Sequence, residues 1–94
     1  MLSSKARVET EHASKYLQQL CKHFAHKVQV DYDPHNAKVS FPFGPCELEA
    51  VGGHLDMLCQ AESEEGLSQM QSVLDQHLAK FAWREELSLD WKRE

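Results

Sequence analysis

The stretch Cys46-Glu47-Leu48-Glu49-Ala50-Val51-Gly52-Gly53-His54-Leu55-Asp56-Met57-Leu58-Cys59-Gln60-Ala61 decides the fold. Cys46, Leu48 and Ala50 alternate with Glu47 and Glu49, and Leu55, Met57, Cys59 and Ala61 form a second period-two set beyond Gly52-Gly53. Successive side chains on a strand point to opposite faces, so each run has one apolar and one polar side. A two-residue Gly-Gly link is a hairpin signal, because glycine accepts the positive φ of the tight turns that join antiparallel strands. The stretch therefore predicts an antiparallel hairpin covered on one face and open to water on the other.

The same alternation extends towards the N-terminus. Val39, Phe41 and Phe43 alternate up to Gly44-Pro45, where glycine can supply a positive φ and proline cannot extend the ladder. Val28, Val30 and Tyr32 precede the turn signal Asp33-Pro34-His35-Asn36. Residues 5–10 read as a first strand with Ala6 and Val8 on one side, and Thr10 as the N-cap of a helix over 11–26. Ala13, Leu17, Leu20, Cys21 and Phe24 give that helix an apolar stripe at spacings of three and four. Beyond the hairpin, Ser63 followed by Glu64 and Glu65 opens a second helix, with a stripe of Leu67, Met70, Leu74, Leu78 and Phe81. Leu87, Leu89 and Trp91 then alternate with Glu86, Ser88 and Asp90, predicting a last strand.

The expected fold is a two-layer α+β sandwich in the order β-α-β-β-β-β-α-β, an antiparallel sheet of five to six strands with two helices on one face. Its central core is expected to join Phe41, Phe43 and Leu48 to Leu17, Leu20, Phe24, Leu74, Leu78 and Phe81. Cys46 and Cys59 should face the helices.

Ninety-four residues form one domain, and a hydrophobic content of 41% is enough for one packed core. A net charge of -5 argues against a nucleic-acid partner, because phosphate neutralisation needs a basic patch. There is no apolar run at the start for a signal peptide and none of the roughly 20 residues a membrane span needs. A soluble cytoplasmic protein is expected. Cys21, Cys46 and Cys59 are odd in number and widely spaced, which suits neither a disulfide scaffold nor a CxxC zinc site.

Chemistry concentrates in Cys21-Lys22-His23-Phe24-Ala25-His26-Lys27. Lys22, His23, His26 and Lys27 form a candidate site for an anionic ligand, held by charge-assisted hydrogen bonds. His23 and His26 share one turn and are the alternative metal ligands, although zinc takes three or four. Cys21 lies on the opposite flank from His23. The plain structural reading is that these cations close a helix C-terminus, where the dipole favours them. Asp31, Glu47, Glu49, His54 and Asp56 should share the open sheet face, a solvated surface or, less simply, a place for acid–base work. His77 falls at the edge of the second helix's stripe, where its ring would pack at the boundary. Trp83 and Trp91 bracket charged residues, and one of them left exposed would mark a partner surface. No nucleophile elbow, phosphate-binding glycine loop or HExxH motif occurs.

Three blocks carry a family resemblance: Leu20 to Lys27 (LCKHFAHK), Phe41 to Ala50 (FPFGPCELEA), and His77 to Leu87 (HLAKFAWREEL) with Trp91. In this order they span nearly the whole chain, and the chain resembles the bacterial family known as domain of unknown function 2218. The resemblance implies a small stand-alone bacterial protein without an assigned activity. Related domains joined to or near siderophore-interacting flavoproteins imply an iron or haem context. The family supplies no catalytic residues to carry over.

These readings together point to a non-enzymatic module that binds a small anionic ligand or a protein partner, without a cofactor, nucleic acid or membrane. The alternatives are a metal- or haem-handling protein using His23 and His26, and a small hydrolase or lyase on the acidic sheet face. Monomer and homodimer both remain open at this level.

Overall fold

Alternating strands and striped helices satisfy one another here by burying a single face of one sheet. The computed structural model describes residues 1–82, 85 and 89–93. Its elements are β1 (Leu2–Glu9), α1 (Ala13–Phe24), β2 (Gln29–Tyr32), β3 (Asn36–Phe41), β4 (Gly44–Val51), β5 (His54–Ala61), α2 (Glu64–Phe81) and β6 (Lys92–Arg93). The strands form one antiparallel sheet in the order β2-β3-β4-β5-β1-β6. The α+β order expected from the sequence is the observed one.

The β4–β5 hairpin is the middle of the sheet. Its register pairs Cys46 with Cys59, Leu48 with Met57 and Ala50 with Leu55, and all six are buried. Cross-strand apolar pairs of this kind fix the register, because a one-residue slip would turn every one of them to water. Gly52 adopts φ 58° in the turn. Gly44 adopts φ 150°, and a Cβ there would lie 2.1 Å from the carbonyl oxygen of Gln60. Backbone therefore packs on backbone where β4 begins, and only glycine fits.

Both helices cover the side on which these residues lie. Leu17, Leu20, Cys21 and Phe24 of α1 and Leu67, Met70, Leu74 and Leu78 of α2 join Val39, Leu48, Leu55 and Met57 in one cluster. Ser63 caps α2 by accepting a hydrogen bond at its Oγ from Gly66 N at 3.0 Å, with Glu64 and Glu65 in the first turn.

Several expectations are corrected. β1 starts at Leu2 rather than residue 5, adding three rungs against β5. Thr10 is not the N-cap: His12 holds that position without a side-chain cap bond. Thr10 instead ends β1, donating its N–H to Gly53 O at 2.9 Å and accepting from His12 N at 3.1 Å. α1 stops at Phe24, because Lys27 N and Val28 N both turn back to Phe24 O at 2.9 Å. Phe43 is not in the core. Phe41 pairs with Gly44, so Pro42 and Phe43 make the turn, and Phe43 is 37% exposed. Ala37 and Val39 fill the inward positions of β3, with Phe41 packed at the core's edge. The last strand is Lys92–Arg93, pairing with Lys5 and Ser4, rather than the alternation ending at Trp91. Trp83, Glu86, Leu87 and Ser88 lie outside the described residues.

Candidate functional site

The last turn of α1 lies against α2 near its end, where His23 meets His77 and Phe81, and the chain beyond α2 runs on to the start of α1. His23 sits one residue before the end of α1, on the flank of the stripe that buries Leu20 and Phe24. His77 sits on the flank of the α2 stripe, beside Leu74 and Leu78. Packing the two stripes on one sheet brings these flanks together. His77 Nε2 lies 3.0 Å from His23 Nε2, across 54 residues of sequence.

The tautomer of His77 follows from its other nitrogen. Nδ1 is 2.7 Å from the carbonyl oxygen of Val73, and a carbonyl only accepts, so Nδ1 carries the proton. In the neutral ring Nε2 is then a bare acceptor facing His23. Edge-on aromatic contacts hold the rings: Phe24 with His77 at 5.2 Å and His23 with Phe81 at 6.0 Å between centroids. Phe24 in turn meets Phe41 at 5.1 Å. The expected boundary packing of the His77 ring is what the structure shows. Desolvation holds the His23 imidazole below its usual pKa, and the neighbouring His77, Lys27, Lys80 and His26 push in the same direction.

The four sequence-identified residues divide at this point. His23 is half-buried and engaged, whereas Lys22, His26 and Lys27 are exposed on the rim. His26 follows the helix end, its N–H reaching His23 O at 3.3 Å. His77 and Lys80 complete the group and were not read as site residues. Their signal was the i, i+3 spacing on one flank of α2, which has meaning only once α1 is placed beside it. Cys21 is fully buried, its thiol pushed up to about 11 by burial, and it takes no part. Among the described residues no three His, Cys, Asp or Glu side chains converge to hold a metal ion.

The open sheet face is a wide concavity of about 1070 Å³ lined by Arg7, Asp31, Lys38, Glu47, Glu49 and Asp56, among others. Arg7 clasps Asp56 through Nε at 2.7 Å and a second guanidinium nitrogen at 3.2 Å, and Lys38 lies 4.0 Å from Glu47. His54 Nε2 is 3.7 Å from Asp56. Asp56 and Glu47 on this face thus lie beside cations, as on a solvated sheet.

A third cluster ties the chain after α2 to the start of α1. The Tyr16 hydroxyl donates to Glu85 Oε2, and Thr10 Oγ1 donates to Glu85 Oε1 at 2.8 Å. Desolvation, then the carboxylate, pushes the Tyr16 hydroxyl up to about 12, while these donors hold Glu85 below the usual carboxylate range. Tyr16 lies on the α1 stripe between Ala13 and Leu20, but its polar end gave no sequence sign of this partner.

Comparison with known proteins follows the fold. No curated protein matches the chain. The NMR structure of PA4090 from Pseudomonas aeruginosa is similar at 36% identity and a TM-score of 0.83, covering 98% of this chain and 96% of that one. A family model described as an uncharacterized protein conserved in bacteria, DUF2218, matches residues 5–92. The chain belongs to that family.

Proposed function

We propose that this domain is a non-enzymatic binding module that receives an anionic group, on a small ligand or a protein partner, at the joined C-terminal ends of α1 and α2. One observation carries the reading. The contact of His23 with His77 adds Lys80 to Lys22, His26 and Lys27, which makes a cationic surface on a chain of net charge -5. Ammonium groups around a carboxylate or phosphate form charge-assisted hydrogen bonds about twice as strong as neutral ones. The α1 dipole opposes an anion here, so binding rests on side chains, and affinity in the millimolar range is expected. The iron or siderophore setting rests on the family resemblance alone and is compatible with a carboxylate-rich ligand.

The reading is tested by charge reversal. Phosphate titrated into the protein should shift the side-chain signals of Lys27 and Lys80, and the double variant Lys27→Glu with Lys80→Glu should abolish the response. A response unchanged in that variant defeats the proposal. The second reading, metal handling with His23 and His26, is favoured by the His23–His77 contact in a changed form, with His77 in the place of His26. A hydrolase or lyase on the sheet face has less support, since Arg7 clasps Asp56 and Lys38 lies beside Glu47.

A further inference from the structure

We infer that His23 and His77 together coordinate a divalent transition-metal ion of the copper(II) or nickel(II) type, with a chelating anion filling the positions the protein leaves open. The inference rests on the anion-binding reading for its second ligand and names that ligand's class: an oxygen-donor chelate such as a hydroxy- or polycarboxylate.

The geometry of the two rings carries it. Two bare Nε2 atoms converging on one ion at about 2.0–2.1 Å and separated by the observed 3.0 Å subtend about 94° at the metal. That is a cis pair of a square-planar or octahedral ion, whereas a tetrahedral ion needs the nitrogens about 3.3 Å apart. Ring separation gives an independent check. A collinear N–H···N bond of the observed length places imidazole centroids about 5.3 Å apart. Convergence on a shared ion places them about 4.7 Å apart. The centroids are 4.5 Å apart with the ring planes at 48°, well short of the collinear value and near the convergent one.

The surroundings agree. His77 is already in the tautomer a ligand needs, its Nδ1–H held by the Val73 carbonyl at 2.7 Å, as in the outer shell of metal-binding histidines. His23 joins by moving its ring proton from Nε2 to Nδ1, with no net change in protonation. The C-terminus of α1 lies beside His23, and its negative end favours a cation there. Lys27 and Lys80 repel a bare cation, and the anionic chelate resolves this: its charge is met by the lysines while its oxygens occupy the remaining coordination positions. Only two protein ligands are available among the described residues, which leaves room for such a chelate.

The test uses the untagged, chelator-treated protein titrated with nickel(II) alone, with citrate alone, and with both. His77→Ala and His23→Ala should each weaken nickel(II) binding at least about tenfold, while His26→Ala changes it less than about twofold. One equivalent of citrate should leave the wild-type protein holding nickel(II), and Lys27→Glu with Lys80→Glu should remove that retention. Equal affinity in His77→Ala and wild type, or a loss in His26→Ala as large as in His77→Ala, overturns the inference. Copper(II) broadening of the His23 and His77 ring signals in the wild type decides the same point should a variant fail to fold, and broadening confined to His26 counts against it. A response to citrate alone with no nickel(II) binding keeps the anion site and sinks the metal. Nickel(II) binding at the pair without any citrate effect does the reverse.

Discussion

The β4–β5 hairpin and the joined ends of α1 and α2 are built on opposite terms. In the hairpin, every inward residue has a neighbour two positions away on the same strand and a partner directly across, so the pattern repeats and the register corrects itself. At the helix ends, His23 and His77 meet once, through flanks of two stripes whose relative placement depends on the sheet beneath them. The difference teaches where stability and chemistry reside in this chain. The hairpin region tolerates no slip and keeps its two thiols buried, while the helix ends tolerate change and bring two imidazoles together.

Truncation in the hairpin should give the largest effect. Leu48→Ala removes a fully buried side chain opposite Met57 and should cost about 2–5 kcal/mol in urea unfolding. A cost under about 1 kcal/mol would mean the hairpin is not the centre of the core. Tyr16→Phe, which removes the hydrogen bond from α1 to Glu85 beyond the end of α2, should cost about 1 kcal/mol by the same measurement. Phe43→Ala, in the turn beside the hairpin, should cost less than about 1 kcal/mol, and a loss as large as that of Leu48→Ala would return Phe43 to the core.

Acid should separate the two regions. The folded-state pKa of His23 lies below the ordinary histidine value of 6.5, so the unfolded chain binds its proton first. Its contribution to stability is complete above 6.5 and is lost as the pH falls through the lowered value. Melting curves of wild type and His23→Gln should therefore converge as the pH drops below 6.5, well before the carboxylates titrate. Glu85, whose pKa is held below 4.5, adds a later loss as the pH falls further, and Tyr16→Phe should reduce that later loss only. The smallest signal is expected at the hairpin thiols. Cys46 and Cys59 face each other with sulfurs 3.8 Å apart, both fully buried, and the Cys46 thiol is pushed up by its neighbour and by burial. Both should react with thiol reagents only as fast as the domain unfolds.

Legibility in the sequence follows the same division. The period-two runs from Val39 to Ala61 and the stripes of both helices specified the order of the elements and the covered face, because each rests on local spacing, whereas the place of β1 between β5 and β6 rests on long-range pairing. Phe43 misled because it continues the alternation of Val39 and Phe41 into a turn that Gly44 fixes by its contact with Gln60 O. Thr10 has the composition of a cap but is held by Gly53 and Glu85, both distant in sequence. His23 was legible as part of a basic helix end, yet its partner was taken from the same helix. His77 is its neighbour only after folding, and nothing local to either histidine records that.

The most direct measurement is a citrate titration of the chelator-treated protein, following the ring signals of His23, His26 and His77 with His54 on the opposite face as reference. Saturable movement of the first three in the millimolar range while His54 stays still is the predicted result. Uniform movement of all of them, or none at any, would contradict a ligand site at the joined helix ends.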